Sequence, residues 1–205
     1  MTENTQKRLA SICVYCGSST GADPIYEATA VRLGQILAEN DIRLVYGGGS
    51  IGLMGTVASA TLNAGGKVTG IIPRFLEERE VMLREVDDLI VTENMHERKM
   101  LMFQKADAFV ALPGGIGTLE EVVEMMTWAQ LGQHKKPVLL ANTHGFWSPL
   151  LELLDHMRAQ AFIRPETEVP YLVADNIEDT VSKLREACNN MAANTADDCV
   201  ELSKF

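Results

Sequence analysis

Residues 108–121 read Ala108-Phe109-Val110-Ala111-Leu112-Pro113-Gly114-Gly115-Ile116-Gly117-Thr118-Leu119-Glu120-Glu121. The opening apolar run reads as a buried strand, and residues 119–131 read as a helix. The glycine turn between them lets the backbone come close to a ligand. The first-turn N–H groups of the helix, which lack intrahelical acceptors, point at it. This is an anion site, and phosphate is its usual guest. Upstream, the strand-like Ile42-Arg43-Leu44-Val45-Tyr46 runs into Gly47-Gly48-Gly49-Ser50-Ile51-Gly52, a second turn of the same kind. Two such turns in one small domain imply a nucleotide-shaped ligand.

The alternation of strand and helix continues on both sides. Residues 11–16 read as a first strand. Asp23-Pro24 then opens a helix running to about residue 40, with Asp as N-cap and Pro in the first helical position. Its apolar residues Ala30, Leu33, Ile36 and Leu37 recur at helical spacing. A small-residue helix over 53–64 closes at Gly65-Gly66, and a strand over 67–72 stops at Pro73. Residues 74–84 are charged and irregular and read as a mobile segment over a site. The rest reads as a strand over 88–92, a helix over 95–106, a strand over 137–141, a helix over 146–160, a strand over 171–173 and a helix over 177–190. This order calls for an α/β fold, a doubly wound, mostly parallel, Rossmann-like sheet in a single domain over residues 11–190. Residues 1–10 read as a polar N-terminal extension and 191–205 as a polar, frayed tail. Ligands of such sheets sit beyond the carboxyl ends of the strands, where both glycine turns lie.

The 205 residues suffice for one domain with a full core, and 46% of them are apolar. The net charge of −10 argues against nucleic acid as partner, though not against a small phosphate held by backbone amides and one or two cations. No apolar run approaches the ~20 residues of a membrane span, and the polar start is not a secretory signal, so a cytoplasmic protein with no membrane partner is expected. Cys13-Val14-Tyr15-Cys16 has no second pair to complete a zinc site. Its sulfurs, three positions apart on a strand, point to opposite faces. With Cys188 and Cys199 isolated, reduced structural thiols are expected, and no metal.

The familiar nucleotide motifs fail. Gly47-x-Gly49-x-x-Gly52 matches a dinucleotide fingerprint, but no Asp or Glu follows between Ser50 and Leu76 to hold a ribose. Gly66-Lys67 lacks the spacing of a P-loop. The residues that could do chemistry lie elsewhere. Asn94-Met95-His96-Glu97-Arg98-Lys99 opens a helix with Asn94 as N-cap, which puts Arg98 and Lys99 where the helix dipole disfavours cations by ~0.3–1 kcal/mol each. They are either solvated surface charges or charges placed for an anion. Thr118-Leu119-Glu120-Glu121 matches a capping box, so Glu121 either satisfies the helix start or works on another part of the ligand. Glu80 lies in the charged segment. Met125, Met126 and Trp128 wrap most of their helix, which suggests burial in the core and across a subunit interface.

The segments GGGSIGLMG (47–55), MHERK (95–99) and PGGIGTLEE (113–121), with Cys16-Gly17-Ser18-Ser19 and Trp128-Ala129-Gln130-Leu131-Gly132, resemble the Lonely Guy family over residues 13–184. The resemblance implies a Rossmann-like homodimer that hydrolyses N6-modified AMP to free base and ribose 5-phosphate without a cofactor. Carried over by position, it implies Arg98 and Glu121 as the catalytic pair and Gly115, Ile116, Gly117 and Thr118 as the phosphate cradle. Gly17, Ser18, Gly48, Gly49, Glu80, Met95, Lys99, Gly114, Leu119, Glu120 and Thr127 are implied as further substrate contacts. A non-catalytic nucleotide or cofactor carrier on the same fold is the alternative. A carrier needs the glycine turns but has no evident use for Arg98 with Glu121. A pyridoxal-dependent decarboxylase needs a desolvated lysine, and Lys99, Lys105, Lys135 and Lys136 all have polar or charged sequence neighbours.

Overall fold

The computed structural model describes residues 9–76 and 86–190. Among these, β1 (Ser11–Tyr15), β2 (Arg43–Tyr46), β3 (Val68–Pro73), β4 (Asp88–Thr92), β5 (Ala108–Ala111), β6 (Val138–Ala141) and β7 (Leu172–Ala174) form one sheet in the order β4-β3-β2-β1-β5-β6-β7. Every neighbouring pair is parallel.

The strand order reverses between β1 and β5. Right-handed crossovers put helices on one face when the order moves one way and on the other when it turns back. Accordingly α1 (Pro24–Glu39), α2 (Gly52–Asn63) and α6 (180–190) cover one face. The opposite face carries α3 (Met95–Lys105), α4 (Ile116–Gln130) and α5 (Ser148–Ala159). Each strand feeds two cores by alternation. Ile12, Val14 and Cys16 join one, and Cys13 and Tyr15 join the other, so the two thiols do diverge as their spacing requires.

Caps account for several element ends. Asp23 accepts from the Ile25 N–H and Pro24 opens α1, as expected. Asn94 accepts from the Glu97 N–H, while the Glu97 carboxylate accepts from the Glu93 N–H, closing the start of α3 from both sides. The helix expected from residue 146 starts at Ser148, after a 3-10 turn over Thr143–Gly145 in which His144 has φ 51°. Leu9 belongs to the core, and Ala10 N–H donates to Asp107 at 3.1 Å, so both residues are tied to the domain. Most of the charged 74–84 segment, the 1–8 stretch and the 191–205 tail fall outside the described residues. Met125 and Met126 are fully buried in one core, so the side of α4 open to a partner is made by other residues.

Candidate active site

Reversal of strand order opens a crevice beyond the carboxyl ends of β1 and β5, the usual ligand position in doubly wound sheets. The chain narrows it there. Gly17 N–H donates to the Pro113 carbonyl at 3.0 Å, and a Cβ on Gly17 would lie 3.3 Å from the Gly114 Cα. The two loops pack backbone to backbone.

The loop after β5 leaves the start of α4 open. Gly115 is the N-cap of α4 and offers no side chain to the helix start, and no acidic residue lies in the first turn. Leu119 N–H makes the first intrahelical bond, to Gly115 O at 3.0 Å, which leaves the N–H groups of Ile116, Gly117 and Thr118 without an acceptor inside the helix. Cβ atoms on Gly115 or Gly117 would meet nothing within 4 Å, so this face of the loop is open. Gly114 differs, since a Cβ there would lie 2.2 Å from the buried Thr118 Oγ1. Its bareness lets Thr118 brace the loop from behind.

The second glycine turn is less open. A Cβ on Gly52 would lie 2.2 Å from the Ser18 carbonyl carbon, and Leu53 N–H donates to Ser19 O at 3.4 Å. The start of α2 is therefore packed against the loop after β1. The expectation of two equivalent phosphate turns is corrected here, because backbone covers part of the second one. Gly48, with φ 81°, and Gly49 are buried, while Ser18 is exposed above them.

Helix α3 returns from edge strand β4 across the sheet to β5, and it buries Arg98 and Met102. Arg98 is 6% exposed. It is therefore not a solvated surface cation. Its Nη2 donates to the Gly47 carbonyl at 3.2 Å, and Nη1 lies 3.7 Å from the Met95 sulfur. The Nε is buried without a hydrogen-bond partner among the described residues. A charge taken out of water is costly unless paired, so this guanidinium is incomplete without an acceptor.

Glu121 stands half-buried on the second turn of α4. Because α4 starts at Ile116, Thr118 is its third residue and Glu121 lies beyond the capping positions. The capping-box reading of Glu121 is thereby overturned. Burial drives the Cys16 thiol pKa upward; Glu121 adds to that rise and Arg98 opposes it. Cys13 is raised by burial and then by Glu121, with Tyr15 and Arg98 pulling it down. Both site charges are thus felt at the carboxyl end of β1.

Lys99 bridges the two helices. Its ammonium contacts Glu120 and lies 3.2 Å from Glu124. Burial pulls its pKa down, but the two carboxylates outweigh burial and raise it. A Schiff-base lysine requires the opposite shift, and Lys136 donates to the Phe103 carbonyl, so neither residue suits pyridoxal chemistry.

The structure thus sets the loops carrying Gly17 and Ser18, Gly48 and Gly49, and Gly114 and Gly115 at the carboxyl ends of the neighbouring strands β1, β2 and β5, with Arg98 against Gly47 and Met95 and with Lys99 on Glu120. Ile116 to Glu121 follow as the start of α4. Thr127 stands apart, exposed and bonded to Val123 O in its own helix, about 16 Å along α4 from Ile116. Glu80 lies outside the described residues. Sequence reasoning missed Glu124, and it placed Gly47 in the second glycine turn without its contact to Arg98. Glu120 and Glu124 at i, i+4 opposite a basic pair could have pointed to the first; no sequence signal pairs Gly47 with Arg98. No group of three His, Cys, Asp or Glu among the described residues is arranged for a metal.

The family model described as "Possible lysine decarboxylase" matches residues 54–184. A cytokinin riboside 5′-monophosphate phosphoribohydrolase of Arabidopsis thaliana is 46% identical over 184 residues, covering 90% of this chain and 85% of that one. A protein of the same name from Oryza sativa subsp. japonica is 48% identical over 181 residues, covering 88% and 75%. Among solved structures, the molybdenum cofactor carrier protein of Chlamydomonas reinhardtii superposes with a TM-score of 0.64 at 21% identity, over 88% of this chain and 98% of that one. At that identity the likeness establishes the fold alone.

Proposed function

The chain belongs to the Lonely Guy family, whose model carries the lysine decarboxylase description, and from that membership we propose that it is a cytokinin riboside 5′-monophosphate phosphoribohydrolase. It hydrolyses the N-glycosidic bond of N6-modified adenosine 5′-monophosphates, with AMP a candidate substrate, to free base and ribose 5-phosphate. The observation that carries the reading is a buried Arg98 whose Nε lacks a hydrogen-bond partner, with Glu121 beyond the capping positions of α4 and an open glycine loop at the start of that helix.

The 5′-phosphate sits on the N–H groups of Ile116, Gly117 and Thr118, where the α4 dipole favours negative charge. Holding the phosphate fixes the ribose over Glu121. As the bond from the anomeric carbon to the base nitrogen breaks, its electron pair leaves with the purine and the ribose gains oxocarbenium character. The Glu121 carboxylate stabilises that cation and orients the water whose oxygen bonds the anomeric carbon. Water supplies hydroxyl to the sugar and a proton to the base. Arg98 donates to an acceptor on the nucleotide and completes its own hydrogen bonding in doing so. Met95, against Arg98, lines the base side.

We further propose that the molecule works in the cytoplasm as a homodimer. Support comes from the exposed apolar residues Ile116, Val123 and Leu131 along α4 and from buried reduced thiols at Cys13 and Cys16. No helix among the described residues is long and apolar enough to cross a membrane. Chromatography of the protein incubated with AMP and with isopentenyladenosine 5′-monophosphate tests the activity. Free base with equimolar ribose 5-phosphate is expected, faster from the modified nucleotide. Nucleotide that binds and is recovered intact would replace the reading with that of a carrier.

A further inference from the structure

The first glycine of the Gly47-Gly48-Gly49 triplet has a contact that its place in a phosphate-type turn does not explain. Gly48 has φ 81° and needs glycine for its backbone, whereas Gly47 is not among the positive-φ residues. Its bareness is a matter of space. A Cβ at Gly47 would lie 2.0 Å from Arg98 Nη2 and 3.2 Å from Arg98 Cζ, with the Met54 sulfur 3.3 Å away. The Gly47 carbonyl meanwhile accepts from that same Nη2 at 3.2 Å.

We propose that Gly47 is a positioning residue for Arg98: its carbonyl holds one end of the guanidinium, and its missing side chain is the room that end occupies. The inference rests on the reaction proposed above, in which Arg98 touches the nucleotide. With Nη2 committed to Gly47 and Nη1 against Met95, the orientation of the planar group is set, and the buried Nε still lacks an acceptor. Lysine could not take this place, since a single ammonium has no second edge to present. A methyl group at residue 47 would displace the end of a flexible side chain rather than backbone. The fold survives, and the guanidinium shifts by an ångström or more. A displacement of about 1 Å at a positioning group costs on the order of 100-fold in rate.

The test is a double-mutant cycle with Gly47→Ala, Arg98→Ala and the double variant, read in kcat, KM and Tm, with free guanidinium ion added as a rescuing reagent. Gly47→Ala should keep the wild-type Tm and lose about 100-fold in kcat, and the double variant should be no slower than Arg98→Ala alone. Guanidinium should restore activity to Arg98→Ala but not to the double variant, whose extra methyl fills the vacated place. Wild-type kcat in Gly47→Ala, losses that multiply in the double variant, or equal rescue of both would each overturn the proposal. Should Gly47→Ala fail to fold, a double variant as stable as Arg98→Ala would locate the clash at the guanidinium, and an unfolded double variant would refute it. A wild type that binds isopentenyladenosine 5′-monophosphate without cleaving it would end the glycosidase reading instead. The same cycle in Kd for that nucleotide then decides on Gly47.

Discussion

Arg98 and Lys99 are neighbours in sequence with opposite fates, and the helix geometry explains why. Successive residues point about a third of a turn apart, so one is carried under α3 against Gly47 while the other reaches α4. Lys99 spends its charge on Glu120 and Glu124, and a phosphate in the adjacent loop competes for it. Lys99→Ala should raise KM for the nucleotide about 10-fold, the worth of one charge-assisted hydrogen bond. Glu124→Gln should lower KM, because it removes a competitor; steady-state kinetics on both variants checks the pair. His134 offers a stability prediction. Burial lowers its pKa below the usual 6.5, against the raising effect of its bond to the Met125 carbonyl. The unfolded chain then binds the proton more readily than the folded one, so this residue's penalty is absent above about pH 6.5 and grows as pH falls below it. The loss of Tm between about pH 7 and pH 5 should be shallower in His134→Gln than in wild type. At this scale the sequence showed Arg98 as a misplaced charge but could not show its burial, which depends on the distant Gly47. Glu121 was obscured by a coincidence of spacing, since Thr118-x-x-Glu121 mimics a capping box although Gly115 already starts the helix.

Elements were far more legible than their contacts. Hydrophobic periodicity and the caps at Asp23 and Asn94 located every α-helix among the described residues. Most ends were placed within a residue or two, because those signals are local. The start of α4 was missed by three residues because glycine carries little propensity information at an N-cap. What periodicity cannot show is how two helices meet. At the α1–α2 crossing a Cβ on Gly34 would lie 2.7 Å from Val57 O, 2.8 Å from Ala60 Cβ and 2.9 Å from Thr61 N. These are mainly backbone atoms in a buried contact, so Gly34→Ala should destabilise by about 1–3 kcal/mol despite its higher helix propensity. Urea unfolding with an unchanged m-value would measure this. An unchanged midpoint would show that the helices can separate without cost.

For the whole molecule, alternating elements implied a doubly wound sheet, and the strand order then places β1 and β5 side by side at its centre. That adjacency brings Cys16 to Ser19 against Pro113 and Gly114, although about a hundred residues separate them. No local pattern reports it. The open side of α4 carries Ile116 at 83% exposure and Leu131 at 66%, a stripe that a partner copy would cover. Sedimentation should give twice the chain mass of 22.5 kDa, and Val123→Asp with Leu131→Asp should give a single chain. A monomeric wild type would leave that stripe to another partner.

The account stands most directly on Glu121. Release of free base from isopentenyladenosine 5′-monophosphate should be followed in wild type and in Glu121→Gln at equal folded concentration, with Tm measured on both. Wild type should release base, and the variant should bind nucleotide, keep its Tm and release base at least about 1,000-fold more slowly, in line with the loss of a transition-state charge. A variant that folds and turns over at near the wild-type rate would contradict the account.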